Sequence, residues 1–394
     1  MKKDVSIIGG SAAGFFTAHL LADQGLPVRV FEAADRIDPP HRTLIVTKHL
    51  HDLLGSLGES TVINQIHRYE LFTDGRVATI SLRQPDLVCQ RNELIRKLAE
   101  KAEATGAQIF TGRRFLSLKP DGERVKFTVS RNGDRRPAEE TAAVLVGADG
   151  TFGKVARSAG FPASQTLSLV QAVVDLPKDL SPHTTRVWFI PEETPYFFWL
   201  IPQSMTQGVL GLIGNKEQNT RTSLERFLGS KAFRPIEFQS APIPRYTRWI
   251  PNHRKIGGGD VYLVGDAAGH VKVSTVGGVV TGLRGALGTA KAILNGGSSR
   301  ELRVLRRELE RHRLIRNALH TFTGDDYGRL MDLLTPSAKH MLGTFTRDET
   351  HRLLRSLIVR QPRLLLLALR SLVVGRSSLR KHGLQALPKA TNLH

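Results

Sequence analysis

The chain has 394 residues, 40% of them hydrophobic and 23% charged, a length for two lobes and a composition that excludes disordered and collagen-like classes. Lys and Arg number 56 against 36 acids, a net charge of +20, which favours anionic partners such as acidic lipid surfaces or phosphorylated substrates. No nucleic-acid module accompanies that charge, so nucleic acid is not an expected partner, and the single cysteine, Cys89, allows no intrachain disulfide and points to a reducing compartment.

Asp4–Ile8 reads as a buried strand, Gly9 to Gly14 as a tight turn, Phe15–Gln24 as a helix and Val28–Phe31 as the next parallel strand. That is a βαβ unit at the start of the chain. A signal-peptide reading of Met1-Lys2-Lys3 and the apolar residues behind it is set aside, because cleavage would destroy the turn. The turn reads Gly9-Gly10-Ser11-Ala12-Ala13-Gly14, close to G-x-G-x-x-G with serine for the second glycine. Such a turn delivers the free N–H groups of a helix start to a pyrophosphate. Glu32, at the end of the second strand, is placed to accept hydrogen bonds from adenosine ribose hydroxyls.

A loop at 38–43 leads to a helix expected over 48–57 and a hairpin over 67–81 turned by Asp74-Gly75. Cys89 reads as a buried strand residue rather than a nucleophile. The next helix, 91–105, opens on Arg91, which either meets a cofactor or is a solvated helix-start arginine. A strand at 107–110 and a meander turned at Asp121-Gly122 and Asn132-Gly133 lead to Gly147-Ala148-Asp149-Gly150. Residues 161–254 are strand-rich, with aromatics gathered between Trp188 and Trp199. A buried strand at 261–264 runs into Gly265-Asp266-Ala267-Ala268-Gly269, followed by Gly277-Gly278 at a helix start. His270, beside this segment, is read as structural ahead of a proton donor.

The remainder is helical and Arg-rich, with breaks at Gly324, Pro336, Pro362 and Gly375. From His351 to His394 there are nine Lys or Arg and no acid. Leu353, Leu354, Leu357 and Ile358 share a helical face flanked by Arg352, Arg355 and Arg360; that helix either lies on an anionic membrane or packs against the body. The tail's longest apolar run, Leu364 to Leu369, is far short of the ~20 residues that span a bilayer.

In this order and spacing the three glycine-aspartate segments resemble the large FAD-dependent class that includes aromatic hydroxylases and geranylgeranyl reductases. Two details resemble the geranylgeranyl reductase family. One is Gly265 through Lys272 running into Gly277-Gly278. The other is Tyr196-Phe197-Phe198-Trp199-Leu200-Ile201-Pro202 followed by Gly208 and Gly211, similar to the aromatic signature that lines the prenyl cavity. The sequence departs from the family at Ile201, Gln203 and Ile213, and the loop Pro39–Thr43 lacks the cysteine found in many prenyl reductases.

The resemblance implies an α/β fold: a Rossmann-type FAD-binding domain (1–60, 83–160 and 255–295), an inserted β-rich substrate domain (61–82 and 161–254) and a C-terminal helical appendage (296–394). It implies FAD held by Gly9, Gly10, Ser11, Ala13, Gly14, Glu32, Arg91, Asp149, Gly265, Asp266, Gly277 and Gly278. Tyr196, Phe197, Trp199 and Pro202 would line the path of an apolar prenyl chain. The expected activity is saturation of prenyl double bonds, with an FAD-dependent monooxygenase as the alternative. NAD(P)H, ferredoxin or a quinol would supply electrons. The expected location is the cytoplasm, with attachment to the inner membrane face if the tail binds lipid.

Overall fold

A computed structural model describes residues 3–371, apart from 135 and 365. Short apolar runs buried on both faces form a parallel sheet, as expected of strands covered on each side. Its spatial order is His253–Ile256, Gly259–Leu263, Val144–Gly147, Val5–Ile8, Val28–Phe31 and Gln108–Phe110, with only the His253–Ile256 edge antiparallel. In register, Ile8 sits between Gly147 and Phe31, and Gly147 faces Leu263. The strand ends that carry the three motifs are therefore side by side.

One face of this sheet is covered by the helices Ala12–Asp23, Arg91–Ala104 and Val279–Leu294, whose Phe15, Leu21, Leu94, Leu98 and Leu283 share a core with Val5, Ile7 and Val30. The other is covered by the three-stranded meander Arg113–Asp121, Arg124–Arg131 and Ala138–Ala142, through Phe115, Val125, Phe127 and Val129. The first helix begins at Ala12, three residues earlier than its apolar pattern suggests. Ser11 caps it, its hydroxyl accepting from the Gly14 N–H at 3.1 Å, which satisfies a donor that the helix start leaves free. The helix expected over 48–57 is two short pieces, His49–Leu54 and Ser56–Glu59, parted by Gly55 at φ +56°.

The second sheet has eight strands in the order Pro235–Arg245, Gln165–Asp175, Gln207–Gly214, Phe198–Pro202, Thr184–Trp188, Val62–Thr73, Arg76–Gln90 and Thr43–Val46. Thr43–Val46 and residues 83–90, placed with the nucleotide-binding part by the sequence pattern, belong to this sheet by pairing. The period-2 alternation of a strand divides its residues between two cores. Phe198, Leu200, Leu210 and Leu212 pack under the helix Glu217–Ser230. Tyr196, Trp199, Ile201 and Ile213 form the opposite cluster, which also takes in Val276 from the glycine-rich loop of the first lobe.

Helices follow at Arg300–Leu319, Gly324–Asp332, Pro336–Thr344 and Thr350–Arg360. Thr323 and Asp326 make a reciprocal capping box, and Pro336 fills the first turn of its helix behind the capping Thr335, both local stop-and-start signals. This helical region, expected from the sequence, packs onto both lobes. Leu302 lies against Gly288 of the first lobe, while Gly343 touches the Ser81 carbonyl of the second sheet. Gly375 lies outside the described residues.

Candidate functional site

At the carboxyl ends of the central strands lies a cavity of about 550 Å³, bordered by Gly9, Gly10, Ser11, Glu32, Arg91 and Asp149 together with Arg113 and Lys154. The glycine turn is shaped by contacts that a side chain would break. Gly9 has φ +106°, and a Cβ there would lie 2.5 Å from the Ala148 carbonyl oxygen. At Gly14 a Cβ would strike the Gly9 carbonyl. Gly10 lies under Glu32, whose Oε2 accepts the Gly10 N–H at 2.5 Å while Oε1 accepts the Ala34 N–H at 2.8 Å. Ala13 points away from the cavity and packs against Gly265, where a Cβ would be 2.9 Å from the Ala13 Cβ. Its smallness lets the two motifs approach.

Asp149 accepts the Val155 N–H through Oδ2 at 3.0 Å, while its buried Oδ1 has no hydrogen-bond partner among the described residues. Burial raises its carboxyl above the usual range against the pull of that peptide N–H. Across the site, burial likewise raises Asp266, with the guanidinium groups of Arg91 and Arg42 opposing it. Burial lowers Arg91 and Arg42 in turn, and the repulsion of Arg91 lowers Arg42 further. Two cations and one carboxylate are thus gathered beside the strand ends. Gly278 lies next to Asp266, where a Cβ would be 3.3 Å from Oδ1, and Gly277 is tied back to Lys272 by the Lys272 N–H at 3.1 Å.

A dozen small and charged residues that the sequence singled out therefore lie on four adjacent strand ends and the helix starts behind them. The turn peptides, Glu32, Arg91 and the cavity suit a pyrophosphate with its ribose. The unpartnered Asp149 oxygen and the close Asp266–Gly278 approach suit hydroxyls and a flat ring system further along. A family model described as "FAD binding domain" matches residues 2–319. The chain belongs to that FAD-binding family.

Among relatives, the chain is 28% identical over 304 residues to a digeranylgeranylglycerophospholipid reductase 2 of Methanothermobacter thermautotrophicus, covering 71% of this chain and 74% of the relative. To a geranylgeranyl diphosphate reductase of Rhodobacter capsulatus it is 27% identical over 327 residues, covering 78% and 79%. In structure it is similar to a geranylgeranyl bacteriochlorophyll reductase-like protein of Thermoplasma acidophilum, with TM-score 0.75 at 18% identity over 96% of this chain and 99% of that one. A flavin-dependent halogenase shares the fold at TM-score 0.65 and 17% identity, over 97% and 78%. The protein is an FAD-dependent oxidoreductase of this family.

The aromatic segment lies on the sheet face next to the glycine-rich loop of the FAD-binding lobe. Tyr196 is 1% exposed, with its hydroxyl unpartnered among the described residues, and Trp199 is buried. Phe197 is half-buried, its ring 6.1 Å from that of Trp199. Pro202 is buried opposite Gly208, its carbonyl accepting from Asn64 Nδ2 at 3.0 Å. Burial raises the Tyr196 phenol, with Arg316 and Arg245 pulling the other way.

Two residues have bland roles. Burial pushes the Cys89 thiol up to about 11, so it stays protonated in the sheet. Burial pushes His270 down to about 4; its ring stacks on Trp249 at 5.4 Å and fills the space over Gly285.

Sequence reasoning missed Arg42, Arg316 and the strained Val276, a β-branched residue at φ +52°. An arginine in the loop after the second strand was the available signal for Arg42. Arg316 had none, as one of many arginines on an Arg-rich helix.

Proposed function

We propose that this protein saturates carbon–carbon double bonds in a prenyl chain. The observation that carries the reading is the packing of Tyr196, Trp199, Ile201 and Ile213 in one apolar cluster with Val276 of the FAD-side loop. An apolar, aromatic wall against that loop suits a long hydrocarbon held by shape and dispersion rather than by charge. The names of the relatives, reductases of geranylgeranyl diphosphate and of digeranylgeranylglycerophospholipid, support the same substrate class.

When bound, reduced FAD supplies a hydride. The alkene takes that hydride at one carbon and a proton from water at the other, so each saturated bond consumes two electrons and one further proton. The protein's own residues do the holding. The Ser11 N–H, which the Gly9 and Gly10 bonds to Phe31 and Glu32 leave free at the turn, and the guanidinium groups of Arg42 and Arg91 would bind the pyrophosphate, Glu32 would bind the ribose, and Asp149 and Asp266 would take the hydroxyls between them. The wall of Tyr196, Trp199 and Ile201 orients the chain in near-attack geometry. We further propose that the substrate is met at an anionic membrane, on which the basic C-terminal helices rest.

The deciding experiment is an anaerobic single-turnover assay of the dithionite-reduced protein with geranylgeranyl lipids, read by mass spectrometry. A gain of two hydrogens per double bond without oxygen is the expected result. Turnover only when oxygen is admitted, with oxygen incorporated into product, would transfer the site to the monooxygenase chemistry that other proteins of this fold perform.

A further inference from the structure

The loop from Val271 to Gly278 connects Asp266 to the helix Val279–Leu294, and its hydrogen bonds lead out of the FAD-binding lobe. The Lys272 ammonium reaches Asp348 Oδ1 at 2.5 Å, with side-chain exposures of 6% and 0%. The second oxygen of Asp348 accepts the Thr47 hydroxyl at 2.5 Å. Burial pushes the Asp348 carboxyl up, but Lys272, Thr47 and Arg347 outweigh it and hold it well below the usual range. Two residues on, the Ser274 hydroxyl shares a 2.6 Å hydrogen bond with Nδ1 of the buried His312, whose Nε2 meets the Thr350 hydroxyl at 2.9 Å. Burial lowers His312 below the usual imidazole range, with Glu308 pulling the other way. Arg316 spans the two lobes, donating to the Ser274 carbonyl at 2.9 Å and to the Pro195 carbonyl, beside Tyr196, at 2.8 Å.

These contacts enclose the strained residue. Val276 lies in the left-handed region at φ +52°, a conformation that a β-branched side chain keeps only where its surroundings over-determine it. Buried ion pairs seldom gain stability over apolar replacements, so a pair this dry asks for another role.

We propose that Lys272 and Asp348 form a latch through which the C-terminal helical region holds the FAD-side loop in its strained conformation, with Ser274, His312 and Arg316 as its second fastening. All five are positioning residues. The latch makes the region after residue 300 part of the FAD site. The proposal rests on FAD binding alone and is independent of which substrate is reduced.

The test is the pair Lys272→Met with Asp348→Leu, which removes both charges together while Arg347 keeps its ion pair with Asp86 at 2.9 Å; Ser274→Ala, which removes one hydroxyl, is the gentler companion. Three readouts are taken on the full chain: thermal melting, FAD affinity of the apoprotein by fluorescence quenching, and the midpoint potential of the bound flavin. The latch predicts a folded protein whose FAD dissociation constant rises about tenfold. It also predicts a potential displaced by about 30 mV, a tenfold change in the relative affinity for the two oxidation states of a two-electron couple.

Val276→Gly, introduced into the latch-broken protein, frees the left-handed conformation from its penalty and is expected to return affinity and potential toward the wild type. Unchanged affinity and potential in a folded double variant would overturn the proposal. So would failure of Val276→Gly to restore either quantity. If the double variant does not fold, the same two readouts on Ser274→Ala decide, with a smaller change in the same direction expected and no change overturning the latch.

Discussion

Glu32 is tied to the glycine turn on one side and to its own strand end on the other, through the Gly10 and Ala34 N–H groups. A ribose whose hydroxyls donate to this carboxylate meets a group already oriented. Glu32→Gln keeps the size but replaces one acceptor oxygen by an NH₂ that faces a donor. The expected cost is about 1.4 kcal/mol, a tenfold weaker FAD dissociation constant, read by flavin fluorescence titration of the apoprotein; equal affinities would exclude Glu32 from the ribose site. His270 makes a different kind of prediction. Its buried ring has both nitrogens unpartnered among the described residues, and burial lowers it to about 4, whereas the unfolded chain titrates near 6.5. Between those pH values the unfolded chain takes up a proton that the folded chain refuses. Its contribution is therefore complete above pH 6.5 and lost as pH falls toward 4, to a total on the order of 3 kcal/mol. Urea melts of wild type and His270→Gln across this range should show a shallower acid slope in the variant. Parallel slopes would assign the acid loss to other groups.

At the scale of elements, the sequence displays what is local. Buried runs such as Val5–Ile8 and Val144–Gly147, and glycines spaced for a strand-to-helix turn, carry their meaning within a few residues. The positions of Glu32, Asp149 and Asp266 followed from them. The second sheet was legible only as strand-rich, because its pairing joins distant segments: Thr43–Val46 meets Arg76–Gln90 in an antiparallel ladder, and Thr184–Trp188 runs parallel to Val62–Thr73. The Lys272–Asp348 pair spans 76 residues and leaves no periodic trace. Gly211 shows a local residue with a cross-strand reason. It lies opposite Trp199, and a Cβ there would be 2.6 Å from the indole Cζ2. Gly211→Ala must displace that ring or the strand, an overpacking cost of about 1–3 kcal/mol. The expected result is a lower melting temperature and altered tryptophan fluorescence with FAD affinity intact, since the clash lies in the second sheet. Loss of FAD binding alongside would show the two lobes more tightly coupled than their shared contact with Val276 indicates.

Taken whole, the molecule concentrates its positive charge where it also exposes apolar surface. In the described part of the C-terminal region, Ile358 is 51% exposed, Val359 74%, Leu366 63% and Leu369 50%. Among them the exposed Arg355, Arg360, Arg363 and Arg370 stand with no acid after Glu349. Among the described residues no helix is long and apolar enough to cross a membrane, so attachment would be to the surface, by apolar insertion plus attraction to anionic headgroups. The helix Thr350–Arg360 starts two residues after Asp348, so a surface-bound tail would lie close in sequence to the contact that fastens the FAD-side loop. Vesicles containing anionic phospholipid should therefore sediment with the protein at about 0.1 M salt and release it as screening shortens the reach of the charges. Purely neutral vesicles should leave it in the supernatant. Arg355→Glu, Arg363→Glu and Arg370→Glu together remove roughly 1 kcal/mol each near the surface, a loss of two orders of magnitude or more in vesicle affinity. Val359→Asp should weaken binding without changing its salt slope. Equal binding of neutral and anionic vesicles, or an unaltered triple variant, would send the arginines back to solvent and leave the +20 charge without this partner.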